Sequence, residues 1–81
     1  MKIPRDVSGD DLAGCFMRLG YRLTKQTGSH MRFTTSISGE HSITIPRHAS
    51  LKIGTLNNIL NDVAGHLEMS KQELIHKLWE R

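Results

Sequence analysis

The stretch from Tyr21 to Pro46, YRLTKQTGSHMRFTTSISGEHSITIP, decides the architecture, because its apolar residues recur at every second position rather than every third or fourth. Tyr21 and Leu23 alternate with Arg22 and Thr24, and the run ends at Gln26-Thr27-Gly28, where Gly28 supplies the freedom of a tight turn. Beyond the turn, Met31 and Phe33 alternate with His30, Arg32 and Thr34, so burying the apolar pair sends His30 and Arg32 to the opposite face. Ser38-Gly39-Glu40 reads as a second turn, and His41 to Ile45 as a third strand with Ile43 and Ile45 inward, stopped by Pro46. Strands joined by such short turns predict an antiparallel meander.

Outward from this core the period changes to that of a helix. On the N-terminal side, Ser8 followed three residues later by Asp11 resembles a capping box. Leu12, Cys15, Phe16 and Leu19 then share one stripe, and Gly20 stands where a left-handed C-terminal cap is wanted, so a helix is expected over Gly9 to Leu19. On the C-terminal side, Lys52-Ile53-Gly54-Thr55 opens a second helix in which Ile53, Leu56, Ile59, Leu60, Val63, Ala64 and Leu67 recur at helical spacing. Ser70 with Glu73 forms another capping box, followed by Leu74, Ile75, Leu78 and Trp79 on one side, which predicts an additional helix over about 70–80. The fold class is therefore α+β, in the order α-β-β-β-α with an extra C-terminal helix. A three-stranded antiparallel sheet carrying its helices on one face leaves the other face free for water or a ligand. The 81 residues are expected to form a single domain, 1–81.

Composition narrows the function classes. With 37% hydrophobic and 23% charged residues the chain is neither disordered nor fibrous. No apolar run approaches the roughly 20 residues of a membrane helix, and Met1 to Asp10 lacks a signal layout, so a cytoplasmic protein without membrane contact is expected. The single cysteine, Cys15, lies on an apolar helix face and is read as packing. Eleven basic against eight acidic side chains, net +3, is a mild bias towards polyanionic partners. Neither Cys-x-x-Cys nor His-Glu-x-x-His occurs, and His41 and His48 are separated by a strand end containing Pro46, so neither a metal site nor a small-molecule cofactor is expected.

Two clusters carry chemistry. Gly28-Ser29-His30 places an imidazole at the mouth of a turn, on the outward face, with Lys25 and Arg32 near in sequence; such a group can bind a phosphate and move a proton. Ile45-Pro46-Arg47-His48 leads by a short loop to Lys52, Gly54 and Thr55, where the backbone N–H groups of a helix start lie beside basic side chains and suit a phosphate oxygen.

Taken in order, Pro4-Arg5-Asp6, Leu19-Gly20-Tyr21, Gly28-Ser29-His30, Ile45-Pro46-Arg47-His48 and Gly54-Thr55-Leu56 with Ile59-Leu60 closely resemble the HicA (YcfA-like) mRNA interferase toxins, over about Met1 to Leu60. Ser70 to Trp79 resembles the extra C-terminal helix of longer members. The resemblance implies a fold like that of a double-stranded RNA-binding domain, an endoribonuclease acting on mRNA as the toxin of a type II toxin-antitoxin system, and a cognate HicB-type antitoxin. It also implies that His30 is the essential residue; Met31 stands where many relatives have another histidine or a small residue. The expected reaction is metal-independent, with neutral His30 taking the 2'-hydroxyl proton so that this oxygen attacks the adjacent phosphorus. Lys25, Arg32 and Arg47 are expected to stabilise phosphate charge, Lys52 with the Gly54 and Thr55 amides to hold a flanking phosphate, and Gly28, Ser29 and His48 to complete the RNA-binding set. His48, His41 or water is the source of the leaving-group proton. The competing reading is a non-catalytic RNA-binding module on the same basic face; a third is a pure protein-interaction subunit.

Overall fold

In the computed structural model, which describes residues 3–79, capping boxes set the starts of the first and third helices. Helix α1 spans Gly9–Arg18: the Ser8 hydroxyl accepts from the Asp11 N–H at 2.9 Å, and the Asp11 carboxylate accepts from the Ser8 N–H at 3.2 Å. It stops one residue before Leu19, in a Schellman pairing with Tyr21 N–H on the Phe16 carbonyl and Gly20 N–H on that of Met17. Gly20 sits at φ +102°, a conformation that a side chain would strain.

Strands β1 (Arg22–Thr27), β2 (His30–Thr35) and β3 (His41–Pro46) form an antiparallel sheet in the order β1-β2-β3. Gly28, at φ +51°, and Ser29 make the two-residue turn between β1 and β2, with Thr27 opposite His30. Met31, Phe33, Ile43 and Ile45 point into the core as the alternation requires, under helix α2 (Ile53–His66), while His30 and Arg32 are exposed. Helix α3 (Lys71–Trp79) starts at the reciprocal Ser70–Glu73 box, whose hydrogen bonds hold the Glu73 carboxyl below its ordinary value. Leu74, Ile75 and Leu78 bring α3 into the same core, and an Arg18 guanidinium N–H donates to the Leu78 carbonyl at 2.9 Å. Cys15 is buried and free, packed beside Leu78, as its place on the apolar stripe implies.

Two expected core positions are exposed. Leu23 is 47% accessible, and β1 is exposed along its whole length. Helices α1 and α2 make their main strand contacts with β3, two strands away, so the helix-side face of β1 overhangs the core. Ile53 is 64% accessible because it is the first residue of α2, directly after the cap Lys52; the buried stripe begins at Leu56.

Behind the sheet, at the end away from the first turn, the Tyr21 hydroxyl lies 2.9 Å from His41 Nδ1, and His41 Nε2 lies 3.1 Å from an Asp62 carboxylate oxygen. Since a carboxylate only accepts, Nε2 carries a proton, and in the neutral ring Nδ1 accepts from the Tyr21 hydroxyl. His66 stacks on His41 at 4.3 Å and donates from Nε2 to the Ile37 carbonyl. Burial, reinforced by the Asp62 charge, pushes the Tyr21 phenol up to about 12. The folded chain thus holds this proton more tightly than the unfolded one. The corresponding stability is complete below about pH 10 and declines between pH 10 and about 12, by up to about 1.4 kcal/mol per pH unit. Urea unfolding of Tyr21→Phe should accordingly lack that part of the alkaline decline shown by the parent; identical pH profiles for the two proteins would contradict it.

Candidate functional site

The register of the sheet assembles the site. His30 is the first residue of β2 and faces Thr27 on one side and Pro46 on the other. The next row along the same face is Lys25, Arg32 and Thr44, all exposed. Lys25 and Arg32 are direct cross-strand partners, an arrangement of like charges that weakens a sheet unless an anion lies over it. Ser29 Oγ is 3.5 Å from His30 Nδ1, and among the described residues Nε2 has no hydrogen-bond partner, so the ring is oriented only loosely and its outer nitrogen is available.

The second cluster is stitched to the first through the backbone. Arg47 N–H donates to the Ser29 carbonyl at 2.6 Å, carrying the β2–β3 ladder past Pro46 and setting Arg47 and His48 beside the turn. Gly9 N–H donates to the His48 carbonyl at 2.9 Å, and Leu51 N–H to the Val7 carbonyl at 2.8 Å, so the start of α1 braces the 46–51 loop. The approach at Gly9 is so close that a Cβ would overlap the Pro46 carbonyl oxygen and come within 3.0 Å of Arg47 Cα. Arg47 is half-exposed and its Nε lies 3.1 Å from an Asp10 carboxylate oxygen, which offsets part of its charge.

Lys52, Gly54 and Thr55 begin α2 at the far end of that loop. Lys52 is the N-cap without any side-chain cap, and the first turn holds no acidic residue, so its backbone N–H groups keep their donor capacity. Lys52 and Gly54 are exposed and Thr55 is half-buried, and no hydrogen bond joins the three to the Gly28-Ser29-His30 turn. The three thus stand at the start of α2, not hydrogen-bonded into the His30 cluster.

His41 is displaced from the expected set. It pairs with Thr35, at the opposite end of β2 from His30, about 17 Å away along the strand, and its side chain is on the helix side, held by Tyr21 and Asp62. It cannot deliver a proton at His30. His48 remains on the stitched loop.

Sequence reasoning missed Asp10 as the partner of Arg47 and missed Gly9 as a contact residue. The only hint at Gly9 was a poor helix former immediately after a strong cap. Among the described residues no group of three or more His, Cys, Asp or Glu side chains is placed to hold a metal ion, and no helix is long and apolar enough to cross a membrane. What the arrangement offers is an exposed imidazole next to two cations that have no acidic partner among the described residues, a set suited to an anion and to moving one proton beside it.

No curated protein and no solved structure matches the chain. The family model of the HicA toxin of bacterial toxin-antitoxin systems matches residues 9–64, from the start of α1 through most of α2, and so takes in the turn, the sheet and the loop described above. With more than half its length inside that model, the chain belongs to the HicA toxin family.

Proposed function

We propose that this toxin acts as a metal-independent endoribonuclease on mRNA, with His30 as the general base. The observation that carries the reading is the solvent-exposed His30 on the open sheet face, one row from the opposed cations Lys25 and Arg32. In the tautomer that donates Nδ1–H to Ser29 Oγ, Nε2 is the unprotonated nitrogen, and it takes the proton of a ribose 2'-hydroxyl. The 2'-oxygen bonds to the adjacent phosphorus and the bond to the 5'-oxygen breaks. That oxygen leaves with a proton from His48 or water, giving a 2',3'-cyclic phosphate and a 5'-hydroxyl. Lys25 and Arg32, with Arg47 once it parts from Asp10, offset the charge that builds on the phosphate oxygens. DNA lacks the attacking oxygen and is not a substrate.

Incubating the purified chain with end-labelled RNA in EDTA tests this directly. Fragments ending in a cyclic phosphate are expected, together with an intact all-deoxy control. RNA that is bound but never cut would favour the non-catalytic RNA-binding module instead. HicA toxins act with an antitoxin. For this chain we infer a HicB-type partner that covers His30 and presents carboxylates to Lys25 and Arg32, in the cytoplasm where mRNA is found.

A further inference from the structure

The open face of the sheet extends beyond the two rows already described. Residues separated by three along a regular strand, such as Arg22 and Lys25, point to opposite faces. Here the β1–β2 register shifts between Leu23 and Lys25, so that Arg22 pairs with Thr34 while Lys25 pairs with Arg32. Thr34 and Arg32 share a face; therefore Arg22 and Lys25 do too. A β-bulge at Thr24 has brought a further cation onto the His30 face. Three rows result, headed by His30, by the Lys25–Arg32 pair and by Arg22, about 7 Å apart along the strands.

Between the cations runs a chain of hydroxyls. Thr24 Oγ1 donates to the Arg32 carbonyl at 3.3 Å and lies 3.0 Å from Thr34 Oγ1, which lies 2.8 Å from Ser42 Oγ. Because the Thr24 proton goes to a carbonyl, Thr24 accepts from Thr34 and Thr34 from Ser42. The protons are committed and the remaining lone pairs are acceptors, which suits a ribose 2'-hydroxyl rather than a phosphate oxygen. None of the residues that the register sets on this face is Phe, Tyr or Trp, so bases have no platform to stack on. The opposite flank of the turn is unsuitable for a polyanion, since exposed Asp10 and Asp11 occupy the first turn of α1.

We propose that the open sheet face is a backbone-reading track for single-stranded RNA, in which Arg22, Lys25 and Arg32 hold successive phosphates and the Thr24–Thr34–Ser42 hydroxyls accept from ribose, leading the strand to His30. The proposal rests on the ribonuclease reading for its direction of travel. An unpaired strand is required because attack needs the 2'-oxygen in line with phosphorus and the leaving 5'-oxygen, an alignment a helical duplex does not permit. Recognition through the backbone makes affinity grow with length and change little with sequence.

The test is binding of a fluorescent 12-nucleotide single-stranded RNA, and of DNA of the same sequence, across a salt series. It uses the His30→Ala protein, in which RNA stays uncut, with 2'-O-methyl RNA on the parent as a second route. Adding Arg22→Gln should weaken RNA binding about 3- to 10-fold and flatten the log–log salt slope by about 0.7, the value for one phosphate contact on a single strand. Thr34→Val should narrow the preference for RNA over DNA. Lys77→Gln, at an exposed position of α3, should change neither quantity. Affinity and slope unaltered by Arg22→Gln would overturn the track, as would duplex RNA binding more tightly than the single strand. The two readings fail separately. A parent that cuts RNA with no dependence on Arg22 keeps the nuclease and loses the track; RNA bound through Arg22 but left intact does the reverse.

Discussion

His30→Ala should cut RNA about 100- to 10,000-fold more slowly than the parent, the usual effect of removing a general base. The fold should survive, because the side chain is exposed and, among the described residues, its hydrogen bonding is confined to the long 3.5 Å approach to Ser29 Oγ. Surface substitutions of that kind usually stay within about 0.5 kcal/mol. Rate and stability are therefore expected to separate: single-turnover cleavage collapses while the urea midpoint holds. Cleavage by His30→Ala at the parent's rate would remove the residue from the chemistry. A midpoint that fell along with the rate would mean that the histidine supports the turn instead.

Gly9→Ala should do the opposite and act on the fold. In an open helix the substitution would help, since alanine is favoured over glycine by about 1 kcal/mol. Here the new methyl group meets backbone, the Pro46 carbonyl oxygen and Arg47 Cα, and neither has the freedom of a side-chain tip. Overpacking of this kind typically costs about 1–3 kcal/mol, and relieving it also loosens the Gly9–His48 hydrogen bond. A lower urea midpoint is expected, with weakened cleavage by the molecules that remain folded, because the 46–51 loop loses its brace beside His30. An unchanged or raised midpoint would show that α1 can step back from β3 freely.

The sequence made most of the architecture legible, for an identifiable reason. The helices announce themselves through reciprocal caps at Ser8–Asp11 and Ser70–Glu73, and β2 and β3 through alternation that one buried face enforces. Strand β1 was legible only as a strand. With neither face covered, its pattern carries no information about burial, and Leu23, on the helix-side face opposite Phe33, stays exposed. The candidate site divides along the same line. Placement of His30 and Arg32 followed from the burial of Met31 and Phe33, and of Lys25 only once the register was known. The ion pair between Arg47 and Asp10, and the removal of His41 to the far end of the sheet, depend on contacts between residues distant in sequence, which periodicity cannot report.

The bulge at Thr24 sits in the one strand that contributes nothing to the core. A lesion there need not be a folding lesion. Loss of Thr24 would close the bulge with Arg22 still opposite Thr34 and Lys25 still opposite Arg32, removing one hydroxyl from the Thr24–Thr34–Ser42 chain while every buried side chain kept its neighbours. Recognition and stability are thus written in different parts of this small chain, and a one-codon deletion is enough to shorten the row of hydroxyls without touching the core.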